Sequence, residues 1–439
     1  MSNILSSKLS NLLPRNESYK YLYLQTKPIY IKSPIHQHLS KKSDSDTVKV
    51  RHFFTLIQND IIILGIEIFV YLQIYEDHID QFIFVSKCDT VGLIKLNFKV
   101  GDVIKEVMDF IINYNVSDYH IKLKKVNKKS KENDETFSQS FNDTNENIIS
   151  LNKLIDKLQQ NIHWYKQLPY YNTKKSEQSS TSSNLRKLPT TINLKLCIFT
   201  KTAPQYIFPN SSKNQLKHKI NGQNLLKWWL KIVESITLNW PTKNLIIPGS
   251  DTISSLKFIE NLPTDSNWEI GHIFNKPKER LAIFTIPLFP DDPKGRFLEH
   301  LIVENRYSSV SIDQFYEELG YRQEFRIGDC VGLIGCEINN YQYEKFEKTK
   351  NDFPIITISE YKQFINILKS IHYNVMDDIK NLISDQIPNF FIQKLGDENF
   401  KFGEVIGKKE ISDANKTNGN NQKRVQANDL NGFIKRKKK

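Results

Sequence analysis

Residues 52–87 constrain this chain more than any other segment. Ile66, Ile68, Val70, Leu72 and Ile74 recur at every second position, with Asn59-Asp60 before them and the apolar run Phe82 to Val85 after them. Side chains alternate across a strand, so a period of two assigns one residue set to each face of a sheet, and the Asn-Asp pair supplies a turn. The segment reads as a β-meander that closes on Ser86-Lys87-Cys88-Asp89-Thr90. At residues 102–114 the spacing changes to Val103, Val107, Phe110 and Ile111, which is helical. Strands followed by a helix indicate a mixed α/β (α+β) class.

Further along, residues 127–147 combine Lys, Glu, Asn, Ser and Asp with hardly any apolar side chain. Such a stretch cannot bury enough surface to offset the entropy of ordering, so it reads as a disordered insertion, as does Ser/Thr-rich 172–187. Between them Ile148, Leu151, Leu154, Ile155, Leu158 and Ile162 have helical spacing. Ile192, Leu194, Leu196 and Ile198 alternate as a strand that leads into a long loop at 201–219. A helix begins near Asn221, with Leu225, Leu226, Trp229, Ile232, Val233 and Ile236 on one face. Residues 280–286 are apolar on both faces and read as a central buried strand. Ser311 and Gln314 form a capping-box pattern, and apolar helical repeats continue to about Leu395. Residues 1–406 thus read as one domain, with 407–439 as a disordered basic tail.

Of the 439 residues 39% are hydrophobic, enough for a sizeable core, and 61 Lys and Arg exceed 49 Asp and Glu to give +12. That charge favours polyanionic partners such as nucleic acid, chromatin or a phosphate-rich cofactor. Cys88, Cys197, Cys330 and Cys336 show no CxxC spacing, which argues against a zinc finger or a disulfide scaffold, and no metal is expected. The apolar stretch 61–75 is interrupted by Gly65, Glu67 and Gln73, and the N-terminus has no signal core, so the reading is intracellular, without a membrane. The basic cluster at 435–439 suits nuclear import or an acidic partner, or is a solvated tail.

The chemistry points to Phe289-Pro290-Asp291-Asp292-Pro293-Lys294. Asp292 and Pro293 have the form of a helix N-cap and N1, a structural role that contributes about 1 kcal/mol. Two carboxylates at the end of a buried run, with Lys294 and Arg296 behind them, also suit an active site. Asp292-Pro293-Lys294 spells the D-x-K of metal-dependent nucleases too, but that chemistry wants the motif on a strand, and Pro293 would break the ladder. The Q/R-x-x-G-x-G/A loop of one acetyltransferase superfamily is missing: its nearest candidate, Gln393 to Gly396, continues with Asp397-Glu398.

Phe53, Ser86 to Thr90, the run Gln205-Tyr206-Ile207-Phe208-Pro209-Asn210-Ser211-Ser212-Lys213-Asn214, Lys227-Trp228-Trp229 and Ile286 to Lys294 occur in an order that resembles the fungal regulator of Ty transposition family. The resemblance runs from about residue 16 to about residue 335 and loosens beyond. It implies a nuclear histone H3 lysine acetyltransferase that uses acetyl-CoA. It further implies action with H3 and H4 and with chaperones of the Asf and nucleosome-assembly-protein types in replication-linked nucleosome assembly, with weak DNA contact possible. The implied fold is a central mixed sheet surrounded by helices, similar to the metazoan CBP acetyltransferase, with a long cofactor-binding loop.

The resemblance also implies roles. Asp292 would accept the proton of the substrate lysine or hold its amine, with Asp291 and Asp89 nearby and Tyr206 and Trp229 lining its aliphatic part. Cofactor contacts fall on Cys88, Asp89, Thr90, Asn97, Phe98, Lys99, Val100, Gly101, Phe199, Ala203, His218, Lys219, Ile220 and Trp228, with Arg296 offered to the phosphates. Lys294 matches the family's self-acetylated lysine. Relatives can carry arginines at 97–101, where only Lys99 is basic here. Cys88 stands where a small residue is expected, and a packing role is favoured over a thiol nucleophile. The competing function class is a catalytically silent basic chromatin or chaperone adaptor.

Overall fold

The computed structural model describes residues 4–35, 45–123, 187–260, 262–263, 267–274, 281–322, 325, 329–343 and 353–410. Helix α1 (Ile4–Ser10), β1 (Ser18–Thr26) and β2 (Ile29–Ile31) precede the meander of β3 (Asp46–Gln58), β4 (Ile61–Ile74) and β5 (His78–Thr90). Asn59 and Asp60 both have positive φ, 51° and 57°, the backbone hand that lets a two-residue turn follow the twist of its strands. Strand β5 does not close at Ser86. A bulge at Glu67/Ile68 admits Ser86 as an extra residue, and pairing resumes from Lys87 to Thr90.

The remaining elements are α2 (Val100–Ile112), β6 (Thr191–Thr200), α3 (Gly222–Ile236), β7 (Thr242–Ile246), α4 (Thr252–Ile259), β8 (Trp268–Ile270), α5 (Pro293–Val303), α6 (Ile312–Leu319), β9 (Gly332–Ile338), β10 (Ile355–Ile356), α7 (Ile358–Lys369), α8 (Met376–Asn381), α9 (Ile387–Leu395) and β11 (Gly403–Ile406). The sheet runs β10-β1-β3-β4-β5-β6-β9-β7-β8, with β11 beside β1 and β2 beside β3. It is mixed: β1/β10, β5/β6 and β7/β8 are parallel pairs among antiparallel ones.

Alternation along β4 divides the core. Ile66, Ile68, Val70 and Leu72 join Val103, Val107, Leu226 and Trp229 on the α2–α3 side. Phe69 and Tyr71 point the other way, to Phe84, Cys197 and Phe289. On that second side α5 and α6 cover Leu333 of β9 and Phe199 of β6, and α7 to α9 cover Leu22, Leu24 and Phe53.

Four sequence expectations change. Within 280–286 the described residues form no strand: Leu281 makes one bridge to Ser311 and Ala282–Phe284 is a 3-10 turn. Ala282, Ile283 and Ile286 are buried among α5 and α6, and an apolar run alone does not separate buried strand from buried coil. The apolar repeats after Ser311 are not continuously helical, since β9 lies among them and pairs with both β6 and β7. Ser311 caps α6 through Gln314 N–H at 3.2 Å, but the Gln314 amide turns to Glu318 instead of closing the box. Residues 407–410 are ordered, with Gly407 N–H donating to Glu17 O and Lys409 N–H to Leu13 O, both at 2.9 Å. The insertions 127–147 and 172–186, the helix at 148–162 and residues 411–439 lie outside the described residues.

His52 is buried between Tyr23 OH at 2.6 Å and Tyr119 OH at 3.0 Å. Burial pushes its pKa down to about 3. The unfolded imidazole binds a proton near pH 6.5 and the folded one does not, so stability is unaffected above that pH and falls below it, by roughly 2 kcal/mol at about pH 5. Urea unfolding of His52→Gln at both pH values should show a smaller difference than wild type.

Candidate active site

The acidic turn rests on an aromatic seat. Phe289 stacks on Phe84 at 4.5 Å and tilts against Tyr71 at 5.2 Å, which fixes Pro290 and Asp291 against the sheet. Asp291 takes φ +60°, a conformation aspartate tolerates, and its exposed carboxylate pairs with Lys87 at 3.3 Å. Asp292 caps α5: its Oδ1 accepts Lys294 N–H at 3.0 Å, and Pro293 occupies the first helical position. Its Oδ2 accepts from Lys294 Nζ, and both side chains are buried. The cap expected from the sequence is therefore present, and the D-x-K begins a helix rather than lying on a strand.

Asp89 is engaged differently. Its Oδ2 accepts N–H groups from Tyr206, Ile207 and Phe208 at 2.7, 2.9 and 3.3 Å. Its Oδ1 accepts from Lys217 Nζ at 2.7 Å and Thr90 N–H at 2.9 Å. A carboxylate with five donors ties the 201–219 loop to the end of β5 and has little capacity left for an incoming amine. Lys217 also donates to Ser211 Oγ at 2.6 Å. Gly92 is required beneath it: φ is +75°, and a Cβ there would lie 2.4 Å from the Lys217 backbone. Asn214 Nδ2 donates to the carbonyls of Val91 and Tyr373. At the loop's far end Asp329 accepts from Thr202 Oγ1 and, at 2.7 Å, from Gly222 N–H at the start of α3.

Tyr206 is partly exposed, donates its hydroxyl to Lys201 O, and has its pKa pushed up to about 12, first by burial and then by the Asp89 charge. Trp228 and Trp229 meet edge to face at 4.9 Å. A Cβ on Gly101 would stand 3.1 Å from Trp228 Nε1, so the 97–101 segment at the start of α2 packs directly against Trp228. Phe98 meets Tyr19 edge-on at 5.8 Å, while Asn97 and Lys99 are exposed and Val100 is half-buried. Ala203, His218, Lys219 and Arg296 are exposed, and Ile220 and Phe199 half-buried. Burial drives the Cys88 thiol well above its usual range, which suits a packing residue and not a thiolate nucleophile.

The expected substrate-lysine cluster therefore divides. Asp89 and Tyr206 meet at the loop, and Asp292 meets Lys294 at α5, but Trp229 belongs to the core on the opposite side of the sheet. Between turn and loop lies a cavity of about 310 Å³ walled by Ile207, Pro290, Asp291, Lys87, Glu67 and Tyr361. Glu67 accepts from Tyr361 OH at 2.6 Å and Ser86 Oγ at 3.1 Å, and Arg51 also faces this space. Sequence reading missed Lys217, Asn214, Asp329 and Glu67. Glu67 had a signal, as an acid inside an apolar strand. The other three act only through loop closure.

A family model described as the histone acetyltransferase KAT11-type domain matches residues 5–406. Histone acetyltransferase RTT109 of Candida albicans is 47% identical over 373 residues, covering 84% of this chain and 97% of that protein. Histone acetyltransferase rtt109 of Schizosaccharomyces pombe is 30% identical over 172 residues, 35% of this chain and 44% of its own length. The crystal structure of Rtt109 from Aspergillus fumigatus superposes with a TM-score of 0.66 at 19% identity, covering 93% of this chain and 100% of that one, which supports the fold.

Proposed function

Since this chain belongs to the KAT11-type histone acetyltransferase family, we propose that it transfers acetyl from acetyl-CoA to a lysine of histone H3 in the nucleus. Histone H4 and chaperones of the Asf and nucleosome-assembly-protein types accompany the substrate. The observation that carries this reading is the closure of separate segments on one end of the sheet. Asp89 holds 206–208 and Lys217, Gly92 abuts Lys217, Asp329 joins Thr202 to Gly222, and Gly101 seats Trp228. These contacts support a reading in which acetyl-CoA binds along the loop, against Cys88 to Thr90, 97–101, Ala203, 218–220 and Trp228. Lys219 and Arg296 supply cations for its phosphates, with Lys99 in place of the arginines of relatives.

The substrate lysine enters beside Asp291. As an ammonium of pKa about 10.4 it must lose a proton, which costs roughly 4 kcal/mol near neutral pH. Its neutral amine attacks the thioester carbonyl, the C–S bond breaks, and CoA leaves as a thiolate that takes up a proton. Asp292 is the proton acceptor once its ion pair with Lys294 is gone, and self-acetylation of Lys294 removes that pair. Asp89 and Trp229 act by holding the loop and seating Trp228.

Incubation of the full chain with labelled acetyl-CoA, H3–H4 and a chaperone tests the reading. Wild type should label H3, and Asp291→Asn should raise the KM for histone several-fold while leaving that for acetyl-CoA unchanged, as expected for an exposed carboxylate contributing up to about 1 kcal/mol. Absence of H3 labelling by wild type would sink it.

A further inference from the structure

The cavity of about 310 Å³ beside the acidic turn carries more positive than negative charge: Arg51, Lys87, Lys362 and Lys369 face it against Glu67 and Asp291. Both carboxylates are already engaged. Glu67 accepts from the Tyr361 and Ser86 hydroxyls, one at each oxygen, and Asp291 pairs with Lys87. Arg51, Lys362 and Lys369 form no ion pair among the described residues. Arg51 is the most constrained of the three. It is half-buried on β3, and its guanidinium lies over the Phe69 ring at 5.0 Å and the Tyr361 ring at 5.6 Å. Its Nε is buried and makes no hydrogen bond. A buried donor on a charged group is unfavourable without an acceptor, so this edge of the cavity calls for one from outside. The Nε–H and a neighbouring Nη–H share one edge of the guanidinium and match the two oxygens of a carboxylate. Lys369 ends α7, and partial burial, then repulsion from Lys87, lower its pKa. An anion in the cavity would offset that repulsion.

We propose that this cavity is a subsite for an acidic side chain of the substrate polypeptide, close in sequence to the lysine to be acetylated, with Arg51 and Lys369 as its specificity-determining cations. The inference rests on the reading that the substrate lysine enters beside Asp291, and adds what the protein asks of the residues around that lysine. Pro290 and Asp291 form part of the cavity wall, so a chain presenting its lysine there carries its neighbours past Arg51 and α7. Each extended residue adds about 3.3 Å, which puts the acid about one to three residues from the lysine. Lys362 and Lys369 are both exposed on α7 and so are reachable from solvent. Phe53, Phe69, Ile207 and Ile365 supply apolar wall, which suits the methylene stem of a glutamate. A second basic side chain in the same place would meet the cations that the glutamate satisfies.

The test measures binding of the full chain to peptides whose single lysine carries CoA on Nζ through an acetyl bridge, so that the cofactor anchors the peptide and no turnover is needed. Glu and Gln are compared at each position on either side of that lysine. At one or more of them the Glu conjugate should bind about fivefold more tightly than its Gln counterpart, the scale of a partly exposed ion pair. That ratio should fall toward one in about 1 M salt, where the screening length is about 3 Å. Arg51→Gln should lower the ratio. Because Arg51 is partly inside the core, the exposed pair on α7 gives an independent reading: Lys362→Glu with Lys369→Glu should invert the preference, so that a Lys conjugate binds more tightly than the Glu one. Equal Kd for Glu and Gln conjugates at every position in wild type, or a Glu preference that survives the double reversal on α7, overturns the subsite while leaving the acetyl-CoA reading intact. If no conjugate binds, Glu or Gln alike, the acetyl-CoA reading fails and the subsite falls with it.

Discussion

Replacing Asp89 with Ala is expected to lower acetyl transfer by about two orders of magnitude or more, because one carboxylate organises the whole 201–219 loop. Its hydrogen bonds reach Tyr206, Ile207, Phe208, Thr90 and Lys217, and bonds to a charged acceptor contribute about 1.5–3 kcal/mol each. The substitution also leaves Lys217, whose side chain is only 7% exposed, as a buried cation without its counter-charge. Breaking a buried pair in this way costs about 3–5 kcal/mol. Hydrogen exchange should show the amides of 206–208 losing protection while β4 and β5 remain protected, and the KM for acetyl-CoA should rise. Lys217→Met added to Asp89→Ala should recover stability but not activity. If the 206–208 amides stay protected in the single variant, Asp89 is not the clamp.

The second large effect concerns the α5 cap. Asp292→Ala removes a helix cap, about 1 kcal/mol, and strands the buried Lys294 ammonium, about 3–5 kcal/mol. Against a typical stability of about 5–15 kcal/mol this is a severe loss, and chemical denaturation should read it directly. Lys294→Met combined with Asp292→Ala should return most of it, leaving roughly the cap deficit. Asp292→Asn keeps an oxygen for the Lys294 N–H and should be milder. A double variant as unstable as Asp292→Ala alone would show that the ion pair is not what stabilises the turn.

Both predictions concern residues that the chain displays openly, but only the contacts of Asp292 follow from its neighbours in sequence. Asp292 before Pro293 is a local signal, since capping depends on three or four consecutive residues, and the cap is there. Asp89 stands in an equally suggestive run, but its five donors come from a strand end and a loop more than a hundred residues away. The meander was legible for the same local reason, as period-two alternation over β4 needs no tertiary information. The run at 280–286 misled because burial on every side is compatible with coil as well as strand, and the short β9 was hidden among apolar residues with helical spacing.

The mixed class, the meander with its Asn59-Asp60 turn, a helix within 102–114, another beginning near Asn221, the Asp292 cap and the family resemblance were all legible in the order of residues alone. Each depends on near-neighbour periodicity, backbone chemistry or an ordered set of motifs. Long-range packing set β9 between β6 and β7, and put Trp229 on the α2–α3 face while Lys294, the mate of Asp292, borders the face of Phe84 and Cys197. It alone made Lys217 the mate of Asp89 and brought Lys369 of α7 to the same cavity as Arg51 of β3. Those outcomes depend on which distant segments pack together. A contact between residues far apart in the chain is selected by the burial and hydrogen bonding of the whole fold, and leaves no pattern in either segment alone.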